Sequence, residues 1–294
     1  MRISACITTR NRPQQLQACL QALANTELKP DHVVVSDDSP DVEMQQQNQN
    51  IVTSYYPEAK YILGPRTGVC GNRNNAVNSI PSSETDLVAF LDDDICVEAD
   101  FFVKAIDRYK QMSPEQQKLT IISGVSRTPQ GEEMVSGKLT FRGYFATTDT
   151  TPETVAIHAT LFPRHFFDQE QWDENIFFGY EDAELCLRAL RRGYKIIHCP
   201  ELLVMHIAPG SQSSMRFADI GNLSNYEISI EAARLYVGIK RYKDLFPNPL
   251  KLLLFVALFF IHMTVYLFKR RALPAFPEIL RRSKIQRLWQ TANI

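Results

Sequence analysis

The stretch Ile3-Ser4-Ala5-Cys6-Ile7-Thr8-Thr9-Arg10-Asn11-Arg12-Pro13, with Leu16, Cys19, Leu20 and Leu23 behind it and then His32-Val33-Val34-Val35-Ser36-Asp37-Asp38-Ser39, decides the fold. Ile3–Thr8 is an apolar run of strand length. Pro13–Asn25 opens on proline, a favoured first residue of a helix, and repeats apolar side chains every three or four positions. His32–Ser36 is rich in β-branched residues and ends in a polar cluster, as a second strand would. Strand, helix and strand in succession form a unit of a parallel sheet.

The alternation continues downstream. Tyr61–Leu63 reads as a third strand, Gly71–Ser79 as a helix, and Leu87–Leu91 as a buried fourth strand that runs into Asp92-Asp93-Asp94. A helix is expected over Asp100–Met112, a strand over Ile121–Arg127, a helix over Glu181–Arg192 stopped by Gly193, and short strands over Lys195–Cys199 and Leu202–His206. The Thr- and Gly-rich stretch up to Thr151 has no period that assigns it. The expected class is α/β, a mainly parallel sheet flanked by helices. In such sheets ligands sit beyond the carboxyl ends of the strands, where three of these runs carry polar clusters.

Composition agrees with a folded body. The 294 residues are 45% apolar and 22% charged, which excludes disorder and leaves ample material for a core. A net charge of −1 conceals two unlike parts: residues 1–233 carry 20 Lys and Arg against 31 Asp and Glu, whereas residues 234–294 carry 12 against 2. An acidic body is unsuited to a phosphate backbone, so nucleic-acid binding is not expected, and a basic end suits an anionic membrane surface. The six cysteines show neither a C-x-x-C pair nor zinc-ligand spacing, consistent with a reducing compartment, and no signal segment is read at the start.

We expect two regions, a catalytic domain over residues 1–235 and a basic, apolar helical tail over 236–294. Leu252–Phe268 is interrupted only by His262, Thr264 and Tyr266 and flanked by Lys251 and by Lys269-Arg270-Arg271. At 1.5 Å per residue its length is about 26 Å, marginal for a bilayer core of roughly 30 Å. Lys251, His262, Tyr266 and Lys269 form a faint polar stripe that would let it lie in the interface instead, and Pro277–Trp289 has the mix of a basic interfacial helix. Spanning, lying flat and burial in the core remain open at this point.

Three adjacent carboxylates at the mouth of a buried strand repel one another unless a cation or a solvated turn compensates. Oxygen ligands suit Mg²⁺ or Mn²⁺, which complete their shells with water and substrate phosphates. A second acidic group, Glu181, Asp182 and Glu184, opens a helix after Phe177-Phe178-Gly179-Tyr180, where the dipole alone would favour one acid.

Taken together, these landmarks resemble the family 2 glycosyltransferases of GT-A fold over roughly residues 1–210. Ile7 to Pro13 is similar to that family's opening strand and P-T-Y-N-R-P turn, Val33 to Ser39 to its V-V-V-D-D-G-S, Gly68 to Asn74 to its G-x-x-x-A-R-N, and Phe90 to Asp94 to its D-x-D. Phe177 to Arg188 resembles its E-D region, also seen in galactosyltransferase-like enzymes. The resemblance implies metal-dependent, inverting transfer of one sugar from a UDP- or dTDP-sugar to a saccharide acceptor, in cell-surface polysaccharide synthesis; the basic, apolar tail adds the expectation of attachment to the cytoplasmic face of a membrane and hence of a lipid-linked acceptor. It implies Asp182, with Glu181, as catalytic; Asp94, Asp92 and His206 as ligands of Mn²⁺ or Mg²⁺; and Thr9, Asn11, Asp37, Asp38, Arg73, Asp92 and Asp93 as contacts to the nucleotide-sugar. This sequence departs from the family at Thr8 in place of proline, Asn72 in place of a small residue and Ser39 in place of glycine. The Q-x-x-R-W motif of processive synthases is absent, which favours single transfer. A nucleotidyltransferase acting on sugar phosphates, or an inactive nucleotide-binding scaffold of this fold, is the alternative.

Overall fold

The computed structural model describes residues 1–207 and 219–290. The first half runs β1 Ile3–Thr9, α1 Pro13–Ala24, β2 His32–Asp37, α2 Val42–Tyr55, β3 Lys60–Leu63, α3 Val69–Asn78, β4 Leu87–Asp92, β5 Ile95–Val97, α4 Phe101–Lys110, α5 Pro114–Leu119 and β6 Thr120–Arg127. Three two-residue strands follow, β7 Glu133–Met134, β8 Lys138–Leu139 and β9 Phe145–Ala146, in the stretch that had no sequence period. The rest comprises β10 Thr160–Pro163, α6 Glu181–Arg191, β11 Lys195–His206, α7 Asn225–Lys240, α8 Pro249–Lys269 and α9 Ala275–Ser283.

The sheet is ordered β3-β2-β1-β4-β10-β6-β11-β5. β3, β2, β1 and β4 pair in parallel, as do β6 and β11, whereas β10 and β5 are antiparallel to their neighbours. Alternation along the strands puts Cys6, Val34, Val88 and Phe90 in a core shared with α3, α6 and α7, and Ile7, Val35, Ala89 and Leu91 in another shared with α1 and α4. Both faces are therefore covered, which is why these strands read as continuous apolar runs.

Two expectations are corrected. Lys195–Cys199 and Leu202–His206 form one strand, β11, whose register against β6 shifts between His198 and Leu203. The displaced backbone comes so close to β6 that a Cβ at Gly124 would lie 2.1 Å from the Leu202 carbonyl oxygen, so the facing residue has to be glycine. The expected helix over Pro277–Trp289 ends at Ser283, because Lys284 adopts φ 48°, and a short 3₁₀ turn over Ile285–Trp289 follows.

The C-terminal helices share a third core. Phe255, Phe259, Met263 and Leu267 of α8 pack with Leu235 and Ile239 of α7 and Ile279 of α9. α7 runs unbroken across residue 235, and its other side, through Ala233, Tyr236 and Val237, belongs to the core under the sheet. The expected polar stripe of α8 is turned partly inward: His262 meets the Tyr144 ring at 6.0 Å, and the Tyr266 hydroxyl donates to Glu227. One face of α8 is thus buried and the opposite face is exposed.

Candidate active site

β1, β2 and β4 lie side by side in one direction, so Thr9, Asp37 and Asp92-Asp93-Asp94 emerge together at the same edge of the sheet. The three adjacent carboxylates do not form a solvated turn. Asp93 and Asp94 are 3% and 4% exposed, and all three acids are engaged by basic side chains. The Arg12 guanidinium bridges Asp93 at 2.8 Å and Asp94 at 2.9 Å, while the Thr9 hydroxyl donates to the other oxygen of Asp93. Arg73, stacked on the Trp172 ring at 4.7 Å, reaches Asp92 at 3.0 Å and Glu181 at 3.4 Å. His206, the last residue of β11, brings Nε2 to 3.4 Å from Asp94, and the His158 Nδ1 lies 3.6 Å from Asp92.

These surroundings separate the acids chemically. Burial works against ionisation of Asp92, but Arg73 and His158 outweigh it and hold this carboxyl well below the usual range. For Asp93 burial wins, aided by the neighbouring charge of Asp94, and the carboxyl is pushed up to about 7 despite Arg12. His206 loses solvation on burial, yet its bond to Asp94 raises its pKa.

The second acidic group sits across Arg73. Tyr180 takes a left-handed conformation, φ 62°, and turns the chain into α6 so that Glu181 and Asp182 occupy its first turn. Gly179, at φ 83°, lies against α7 so closely that a Cβ would be 2.5 Å from Ile230 Cδ1. Asp182 accepts the backbone N–H of Ala183 at 2.7 Å; burial, and then the adjacent charge of Glu181, push its carboxyl up to about 7. Glu184 is elsewhere, fully buried and paired with Arg188 and Lys240, and serves the core. The Oε2 of Glu181 is buried without a hydrogen-bond partner, an acceptor that a bound hydroxyl would satisfy.

Around the end of β2, Asp37 is fully engaged by the protein: one oxygen accepts from the Ser39 backbone, the other from Asn48 and the Tyr61 hydroxyl. Asp38 accepts from the Arg66 backbone at 2.7 Å. Asn11, at φ 57°, donates its backbone N–H to the Ser39 hydroxyl, so the serine that replaces the family's glycine ties the first loop to the second. Asn72, another departure, exchanges hydrogen bonds with Ser36. Gly64 faces both loops; a Cβ there would lie 2.3 Å from Asp38 Oδ1 and 2.5 Å from Asn72 Oδ1.

The structure therefore brings Asp94 and His206 together, joins Asp92 through Arg73 to Glu181, the neighbour of Asp182, and sets Thr9, Asn11, Asp37 and Asp38 along the adjoining strand ends and loops. Sequence reasoning missed three members. Arg12 lay inside a quoted motif without a role. His158 comes from the 3₁₀ turn Ile157–Ala159 before β10, and Trp172 from an irregular segment; neither had a period or motif to mark it.

As a test of metal fit, no group of three or more His, Cys, Asp or Glu side chains is gathered for an ion among the described residues. What is present is a carboxylate, Asp94, beside an imidazole, His206. Both ring nitrogens of buried His158 lack a hydrogen-bond partner and the two imidazole centroids are 5.2 Å apart. Such a partial oxygen and nitrogen set fits Mn²⁺, or less well Mg²⁺, when substrate phosphates complete the shell.

A sequence model of the family described as glycosyltransferase-like family 2 matches residues 1–220. No curated protein sequence matches. Among solved structures, GalNAc-T7 with UDP, GalNAc and Mn²⁺ superposes with a TM-score of 0.59 at 14% identity, over 82% of this chain and 50% of that one. TarS from S. aureus gives 0.57 at 15% identity over 88% of this chain and 43% of that one, and its residues 1–349 in complex with UDP give 0.59 at 15% over 87% and 71%. This chain thus spans half or less of GalNAc-T7 and of the longer TarS chain, and at these identities the likeness is one of fold, GT-A. With residues 1–220 inside the family's pattern and this fold beneath them, the chain belongs to the glycosyltransferase-like family 2.

Proposed function

We propose that this nucleotide-sugar transferase moves one sugar from a UDP- or dTDP-activated donor to a saccharide or lipid-linked acceptor, with inversion, in cell-surface polysaccharide synthesis. The observation that carries the reading is the Arg73 bridge, which ties Asp92 of the metal-type cluster to Glu181 beside Asp182. Support for a uridine donor comes from the neighbours: GalNAc-T7 was solved with UDP and Mn²⁺, and TarS 1–349 with UDP and with UDP-GlcNAc.

In this reading Asp94 and His206, with Asp92 beside them, would hold Mn²⁺ or Mg²⁺. When bound, the ion supplies Lewis-acid neutralisation of the diphosphate leaving group. Asp38, Asn11, Thr9 and Arg73 line the donor side, with Asp37 and Asp93 bracing the loops from within. The Asp182 carboxylate takes the proton of the acceptor hydroxyl as its oxygen forms the new bond to the anomeric carbon, while the bond to the departing diphosphate breaks on the opposite face. A carboxyl pushed up to about 7 is well matched to that task near neutral pH. Glu181 Oε2 accepts a sugar hydroxyl.

The C-terminal helices would attach the enzyme to the cytoplasmic face of a membrane, since α8 is 21 residues long and almost wholly apolar. The decisive experiment screens nucleotide sugars for protection against thermal unfolding, with Mn²⁺ and with chelator, followed by assay of the released nucleotide. Release of a nucleoside diphosphate supports the transferase. Pyrophosphate release from a nucleoside triphosphate and a sugar phosphate would identify a nucleotidyltransferase instead.

A further inference from the structure

The exposed side of α8 is an apolar stripe, interrupted only by Thr264, whose hydroxyl donates back to the Phe260 carbonyl. Leu250, Leu253, Leu254, Ile261, Val265 and Phe268 are 75%, 69%, 49%, 63%, 48% and 71% exposed. At 100° per residue they fall within a sector of about 120°, and from Leu250 to Phe268 they extend about 27 Å along the helix. Lys251 and Lys269 stand at its two ends, both exposed, and Arg270-Arg271 follow. A stripe of this length is more than the scattered apolar residues of an ordinary surface.

The opposite side of α8 is committed to the protein. Phe255, Phe259, Met263 and Leu267 are at most 2% exposed, and Phe259 covers the Arg234 guanidinium of α7 at 4.6 Å. Arg234 is itself 1% exposed, held by Glu231 and by the Arg142 carbonyl. Were α8 to turn upright through a bilayer, it would leave this arginine and the apolar faces of α7 and α9 in water.

We propose that α8 lies flat on an anionic lipid surface, with this stripe immersed at the level of the headgroups and upper acyl chains, and does not cross it. The occupant is argued from charge as well as shape: Lys251, Lys269 and Arg271 stand exposed at the ends of the stripe, in a segment, residues 234–294, with 12 Lys and Arg against 2 Asp and Glu, of which Arg234, Lys240 and Arg241 are paired with acids of the body, whereas the body before it is acidic. Basic ends grip anionic headgroups while the acidic body is held off. The inference rests on the membrane attachment proposed above and specifies its geometry.

The test uses the full chain with vesicles of phosphatidylcholine, alone and with phosphatidylglycerol. Sedimentation with the anionic vesicles is expected. Leu253→Ser with Ile261→Ser, both on the exposed side, should weaken it about a hundredfold, roughly tenfold for each large apolar group withdrawn, with no loss of thermal stability. Separately, Lys251→Cys and Lys269→Cys variants are treated with a membrane-impermeant maleimide from outside the vesicles. Reaction at both positions supports the flat arrangement; protection of one end shows a crossing helix and overturns it while leaving attachment intact. A folded chain that fails to sediment with either vesicle overturns attachment and the flat arrangement together. A dimer that Leu253→Ser and Ile261→Ser dissociate means that a second copy covers the stripe, and also overturns the proposal.

Discussion

Replacing Asp182 with Asn removes a proton acceptor while keeping the shape of the side chain. The amide oxygen can still accept the Ala183 N–H that Asp182 Oδ1 accepts at 2.7 Å, and the change relieves the repulsion from Glu181. Folding and nucleotide affinity should therefore survive. Loss of a general base costs roughly 10²–10⁴-fold; a thousandfold fall in kcat corresponds to about 4 kcal/mol at 1.36 kcal/mol per tenfold. The pH profile sharpens the expectation. Because the Asp182 carboxyl is raised to about 7, the wild-type rate should fall tenfold per unit below that pH and level off above it, whereas the variant's residual rate should lack this limb. The same shift has a stability signature of known sign. Between 3.8 and about 7 the folded state keeps a proton that the unfolded chain has released, so the stability this group contributes at low pH is lost as pH rises through about 7. Asn has no such dependence. The assay is initial-rate nucleotide release with acceptor present, paired with chemical denaturation across pH. A variant within threefold of wild type, with the same acid limb, would refute the assignment of the base.

Other outcomes are equally specific. Asp94→Asn should weaken Mn²⁺-dependent binding of UDP in calorimetry, and equal wild-type affinity in chelator would remove the ion from the site. Arg12→Met should cost about 3–5 kcal/mol in chemical denaturation, because it leaves Asp93 and Asp94 buried without their shared cation; a loss below about 1 kcal/mol would show that other groups carry them. Gly64→Ala should reduce nucleotide affinity with little effect on the core, since its Cβ would press on Asp38 and Asn72, and unchanged affinity would take Asp38 out of the donor contacts. Deleting residues 248–294 should yield an aggregating chain, as removing Phe255, Phe259, Met263 and Leu267 uncovers Leu235 and Ile239; a soluble, cooperatively melting product would contradict this.

β1, β2 and β4 were legible because each is buried on both faces and apolar over most of its length, whereas β3, at the sheet edge and half exposed, is marked only by Tyr61-Ile62-Leu63. α2 escaped notice because only Asn48 and Val52 are buried in its 14 residues, too few to set a helical period. β10 is hidden for another reason: it is four residues long, ends in Pro163 and follows a 3₁₀ turn. In the site, the acids were visible as local runs next to strand or helix ends. Their partners were not, since Arg12 meets Asp93 across 81 residues and Arg73 meets Glu181 across 108, and such pairings are created only by the sheet order. Burial of the acidic triplet likewise depends on those distant arginines, which is why local sequence suggested either a metal or solvent as the compensator.

α7 serves two cores at once, and the loop bearing Gly179 and Tyr180 leans on it through Ile230. The C-terminal helices are accordingly a keel built into the hull and not a mooring rope. On the membrane surface proposed for them, the mouth of the active site would stand at one height and one tilt, so that the reach to an acceptor would be set by the architecture and not by a swinging tether.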